Sequence, residues 1–106
     1  MSETSTAPVI RDNPAANRFE TEIEGHMAKV EYKLDGKTIT FEHTIIPEAL
    51  QGRGLAGQLA STCLSSARER GLSVTPVCQV FINYMKKRPE THDLLSPEGQ
   101  KSLELG

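Results

Sequence analysis

The chain has 106 residues, enough for one compact domain and too few for two. Twelve Lys and Arg against fourteen Asp and Glu give a formal charge of -2 and a pI near 5.9, which excludes the basic excess of a nucleic-acid binder. No apolar run approaches the roughly 18–20 residues that span a bilayer, residues 1–17 carry no apolar signal segment, and two cysteines without a matching ligand cluster make neither a disulfide scaffold nor a zinc site.

The expectation is therefore a cytoplasmic protein with a small core, no metal and no membrane or nucleic-acid partner. Charge is unevenly spread. Residues 1–50 carry five bases against nine acids, a balance of -4, and residues 51–106 carry seven against five, a balance of +2. The second half suits a small anion, although solvated faces scatter in this way too.

Residues 1–9 read as a flexible leader, and Asp12 to Asn17 as a loop. Arg18 to Ile23 alternates Phe19, Thr21 and Ile23 against Arg18, Glu20 and Glu22, the period of a strand with one wet face. Glu24-Gly25 turns the chain, and Ala28, Val30, Tyr32 and Leu34 then share the apolar face of a second strand. Asp35-Gly36 signals a type I′ hairpin, because both turn residues need positive φ and this pair tolerates it. A two-residue turn there sets Tyr32 opposite Ile39, Val30 opposite Phe41, Lys29 opposite Glu42 and Ala28 opposite His43, in a third strand over 37–46. Gly54 to Arg70 is an amphipathic helix with its stripe through Leu59, Cys63 and Ala67 and with Gly71 past its end. Leu72 to Val77 is a short strand, and Cys78 to Lys87 a second helix ended by Arg88-Pro89. The domain is expected to run over 10–98, with a tail over 99–106 in which one more short helix fits around Leu94-Leu95 or over Gly99 to Leu105.

The informative stretch is Gln51-Gly52-Arg53-Gly54-Leu55-Ala56-Gly57, a glycine-rich loop between a strand and a helix. Gly52 and Gly54 let backbone N–H groups converge on an anion, the new helix brings its unsatisfied N–H groups and positive dipole end, and Arg53 adds a full charge. No Gly-Lys-Ser/Thr follows, so the loop is no phosphate loop of a kinase. The spacing and the antiparallel strand before it exclude a dinucleotide fold.

Gln51-Gly52-Arg53-Gly54-Leu55-Ala56 resembles the Gln/Arg-x-x-Gly-x-Gly/Ala motif of the GCN5-related N-acetyltransferases, and the resemblance extends over residues 10–96 to the small single-domain branch of that superfamily. It implies an α+β fold, a mostly antiparallel mixed sheet with flanking helices, with acetyl-CoA as cosubstrate and its pyrophosphate on the backbone of Gln51 to Gly57. It also implies that the strand before the loop splays from its neighbour, so that the backbone at Thr44, Ile45 and Ile46 holds pantetheine and the acetyl carbonyl. Asn83 and Arg88 are candidate CoA contacts from the second helix. Two departures stand out: the helices that larger members place after the first strand are absent, and so is their C-terminal strand pair.

Acyl transfer further needs a neutral amine and a proton for the leaving thiolate. An amine of pKa ~10.4 is protonated roughly 10³-fold over neutral at pH 7. His43 is the first candidate base and Glu42 the second, with a hydrogen-bonded core histidine as the alternative. Tyr84 stands where the family keeps a tyrosine near the thioester sulfur, as proton donor or as packing. Cys78, where a strand meets a helix, is a nucleophile that takes the acetyl group, a small buried hydrophobe or part of the channel wall. Cys63 lies in the apolar stripe and reads as core. The sequence thus points to an N-acetyltransferase using acetyl-CoA and an amine acceptor by direct attack, as a monomer or weak homodimer. The alternative is a CoA or acyl-CoA binding module with weak or no catalysis.

Overall fold

The computed structural model describes residues 9–104. Five strands form one sheet in sequential order: β1 (Arg11–Asn13), β2 (Arg18–Ile23), β3 (His26–Asp35), β4 (Thr38–Ile45) and β5 (Ser73–Pro76). The first four pair antiparallel, whereas β5 lies parallel to β4 and is reached through α1 (Leu55–Glu69), as a parallel neighbour requires a crossover. Helices α2 (Gln79–Lys86) and α3 (Pro97–Ser102) follow. The expected mostly antiparallel mixed sheet with flanking helices is present. No helix among the described residues is long and apolar enough to cross a membrane. Of the expected leader over 1–9, only Val9 lies within the described residues, and residues 105–106 of the expected tail lie outside them.

The alternation of β2 and β3 does what period 2 demands. Phe19, Thr21, Ala28, Val30 and Tyr32 are buried on one face, while Leu34 escapes to the exposed end of the hairpin. Against that face α1 lays Leu55, Leu59, Ala60, Cys63, Leu64 and Ala67, all buried. Phe81 of α2 stacks on Phe41 of β4 with ring centroids 4.4 Å apart. At the far end of α1, Gly71 adopts φ +68, its N–H donates to the Arg68 carbonyl and that of Leu72 to the Ala67 carbonyl. This is the left-handed glycine stop the sequence announces.

Three expectations need correction. Asp12 and Asn13 are not loop: they pair with Phe19 and Arg18 as an edge strand, and the Tyr32 hydroxyl donates to Asp12 Oδ1 at 2.6 Å. The β3–β4 turn is Gly36-Lys37, so Ile39 faces Leu34 and Phe41 faces Tyr32, two residues away from the expected register. Gly36 has φ +60 and Lys37 does not share the positive φ, as a type II′ turn requires. A slide of two residues leaves every side chain on its original face, so the apolar pattern could not discriminate between the two registers. Finally, Glu31 and Tyr32 are neighbours on β3, yet their partners are His43 and Phe41. Glu42 is the extra residue of a β-bulge, and beyond it the faces of β4 exchange. His43 therefore does not share the face of Ile39 and Phe41. It is exposed with Ile45, and Thr44 turns inward instead.

Candidate functional site

Beyond Phe41 the register of β4 with β5 ends. The N–H groups of Val77 and Cys78 both donate to the Phe41 carbonyl, at 3.0 and 3.2 Å, and the chain then leaves the sheet as α2. Among the described residues, the β5 side of residues 42–45 thus has no strand partner, and β4 and β5 part just before Thr44 and Ile45. Because the bulge turns Thr44 inward, its Oγ1 meets Cys78 Sγ at 3.1 Å across this opening. Ile46 is half-buried and Ile45 is 43% exposed.

The glycine loop follows at once. Gln51 Nε2 donates to the Ile46 carbonyl at 3.2 Å and draws the loop against the end of β4. Gly52 has φ +81 and Gly54 φ +72, a backbone only glycine adopts without strain, and a β-carbon at either would meet nothing within 4 Å. Gly54 is the N-cap of α1 and no side chain among the described residues caps that helix, so its first N–H groups and positive dipole end converge beside an open space. Ile46, Gln51, Gly52, Gly54, Leu55 and Ala56 line this depression of about 190 Å³. Arg53 is not among its walls, because its guanidinium reaches Glu24 Oε1 at 3.0 Å.

From the loop a groove runs between α1 and α2. Gly57 faces Tyr84, whose Cε2 lies 4.0 Å from where a β-carbon on Gly57 would stand. One part of the groove, about 390 Å³, has Gly54, Gly57, Gln58 and Ser61 on one wall and Tyr84 and Arg88 on the other. A neighbouring part of about 260 Å³ adds Asn83 and Lys87. The Arg88 guanidinium lies 4.1 Å over the Tyr84 ring, a cation–π contact that fixes the two together. Asn83 Oδ1 accepts from Gln79 Nε2 at 2.8 Å.

The fold therefore gathers the loop residues 51, 52 and 54–57, Ile46, Asn83, Tyr84 and Arg88 along one path, whereas Thr44 and Cys78 meet each other where β4 parts from β5 and are not among these walls. It does not gather His43, which stands on the opposite face of β4, nor the Arg53 side chain. Sequence reasoning missed Gln58, Ser61, Thr62 and Lys87. Gln58 stands four residues from Gly54, Ser61 four from Gly57 and Thr62 four from Gln58, and that helical spacing was a readable signal.

The chain is similar to known proteins. The profile of the GCN5-related N-acetyl-transferase family matches residues 18–94, from the start of β2 past the end of α2. The protein named NATD1 of Xenopus tropicalis is 34% identical over 53 residues, 50% of this chain and 49% of its own length. That of Homo sapiens is 36% identical over 59 residues, 55% of this chain and 52% of its own length. The chain thus spans about half the length of the curated relatives it matches. The solution structure of a GCN5-like protein from Staphylococcus aureus superposes with a TM-score of 0.65 at 23% identity, covering 83% of this chain and 87% of that one, a likeness of fold. With the family profile running over the splay, the glycine loop and both walls of the groove, the chain belongs to the GCN5-related N-acetyltransferase family.

Proposed function

We propose that the protein is an acetyl-CoA-dependent N-acetyltransferase that passes the acetyl group to an amine by direct attack on the thioester. One observation carries the reading. The open left-handed glycine loop at the N-terminus of α1 continues into a groove walled by Gly57, Gln58 and Ser61 of α1 and by Tyr84 and Arg88, and just before the loop the end of β4 has no strand partner on its β5 side among the described residues. A cradle of N–H groups suits a pyrophosphate, Lys87 and Arg88 add positive charge beside the groove, and the free strand edge suits the amides of pantetheine.

When bound, acetyl-CoA supplies an activated acyl thioester. Backbone groups at Thr44, Ile45 and Ile46 hold the pantetheine arm and the acetyl carbonyl. The Tyr84 hydroxyl donates a proton to the departing thiolate sulfur. His43, exposed on the opposite face of β4, takes the proton of an amine that approaches from that open side. Cys78 lines the channel rather than taking the acetyl group, because its neighbour is the Thr44 hydroxyl and not a base.

A second reading, a CoA-binding module with weak or no catalysis, is favoured by the separation of His43 from Thr44 and Cys78. Calorimetric titration with CoA and acetyl-CoA, followed by thiol release across a panel of amines, separates the two. Saturable binding with amine-dependent thiol release is expected. Binding with no release for any amine supports the module, and no binding removes both readings.

A further inference from the structure

Arg53 is the only cation between Thr44 and Gly57, yet its side chain is absent from the depression lined by Gln51, Gly52, Gly54, Leu55 and Ala56. It is tied instead to Glu24, in the turn between β2 and β3. That turn has two residues, closed by the pair Ile23 and His26, with φ +54 at Glu24 and +80 at Gly25. Such a type I′ turn favours Asn, Asp or Gly at its first position, so a glutamate there breaks the local rule. What the glutamate adds is reach, a carboxylate long enough to meet the guanidinium at 3.0 Å.

We propose that Glu24 is a built-in competitor for the anion: in the free protein it holds Arg53 off the cradle, and the pyrophosphate of CoA takes its place, so that Glu24 sets cosubstrate affinity. The inference rests on the cosubstrate reading above. Side chains of both partners are well exposed, 45% for Arg53 and 65% for Glu24, and an exposed pair of this kind is weak. A pyrophosphate carries two charges and offers a guanidinium paired oxygens, so it outbids a single carboxylate for the same fork. Gly52 and Gly54 on either side give Arg53 the backbone freedom to swing. The guanidinium lowers the Glu24 carboxyl from its ordinary value, and an exposed carboxylate and guanidinium are both ionised at neutral pH in any case, so an anion, not a proton, must separate the pair.

The test is CoA titrated into the wild type, Glu24→Gln, Arg53→Ala and the double variant at one ionic strength. Glu24→Gln should tighten Kd by about two- to fivefold, the range an exposed ion pair commands. Arg53→Ala should weaken it, and in that background Glu24→Gln should change Kd less than about twofold. Glu24→Asn, which suits the turn better, should tighten binding equally with an unchanged or raised Tm, so a loosened turn is separated from a released arginine. Unchanged or weaker binding by folded Glu24→Gln, no loss with Arg53→Ala, or equal tightening without Arg53 would each overturn the competitor role while leaving the cosubstrate reading standing. A wild type that binds no CoA would instead remove the cosubstrate reading itself, and the competitor role with it.

Discussion

Cys63 and Cys78 carry the same thiol into opposite surroundings. Cys63 is 1% exposed within the α1 stripe, and burial pushes its thiol well above the ordinary range, whereas Cys78 is half-buried at the splay. A thiol reagent at pH 8 should modify one cysteine in the native protein, Cys78, and the second only after unfolding. Fast native labelling of Cys63 would contradict the packing. The raised Cys63 thiol also has a sign: its folded-state value lies above the unfolded one, so its contribution is complete below roughly pH 8.5 and is lost as pH rises. Tyr32 acts in the same direction, raised by burial and then by its bond to Asp12. Thermal stability should therefore hold through neutral pH and fall in alkali, and a Tm that rises above pH 9 would refute this. Tyr84→Phe keeps the ring beneath Arg88 and removes only the hydroxyl. Turnover should fall by about 10²-fold or more with acetyl-CoA affinity nearly unchanged, provided chemistry limits the rate. Unchanged turnover would make Tyr84 a wall of the groove.

At the scale of elements, two glycine turns differ in what they hold. Gly36 and Gly54 both have φ above +50 with open space where a β-carbon would go. Alanine at either should lower stability by roughly 1–3 kcal/mol, the cost of holding an L-residue at positive φ. Only Gly54→Ala should also weaken CoA binding, by about tenfold or more, because its methyl enters the cradle. Equal affinities for the two variants, by calorimetry on folded protein, would move the pyrophosphate away from this loop. The loop was legible in sequence because its chemistry is local: glycines, an arginine and a helix start in seven consecutive residues. The side chain of Arg53 was not, since its partner lies 29 residues away and is placed by a turn.

For the molecule as a whole, the last helix closes the fold. A β-carbon at Gly99 would stand 2.6 Å from the Val74 carbonyl oxygen and 3.1 Å from Pro76 Cδ, so α3 docks on β5 through a glycine. Ser96 caps this helix by accepting from the Gly99 N–H at 3.0 Å, and Leu103 beyond it is buried. The boundary expected at residue 98 therefore falls inside α3. Alanine is the better helix former by about 1 kcal/mol, but a backbone carbonyl cannot step aside. Gly99→Ala should destabilise by about 1–3 kcal/mol in chemical denaturation, and a stabilised variant would contradict the docking. On the other side of the fold, α1 is tied to the turn before α3 by two Arg68–Asp93 contacts of 2.7 and 2.9 Å.

Sequence alone determined the features whose causes lie within a few residues of one another. The alternation of β2 and β3, the stripe and glycine stop of α1, and the glycine loop all follow from local period and local backbone freedom. Tertiary structure decided what depends on partners distant in the chain. The slide of the β3–β4 register by two residues preserved every face and so left no trace in the pattern. The bulge at Glu42 exchanged the faces of β4, sent His43 outward and brought Thr44 to Cys78, because one unpaired residue reverses an alternation of period 2. Asp12 became an edge strand only because β2 and Tyr32 were there to hold it, and the groove walls of α1 and α2 met only once β5 had set the distance between them.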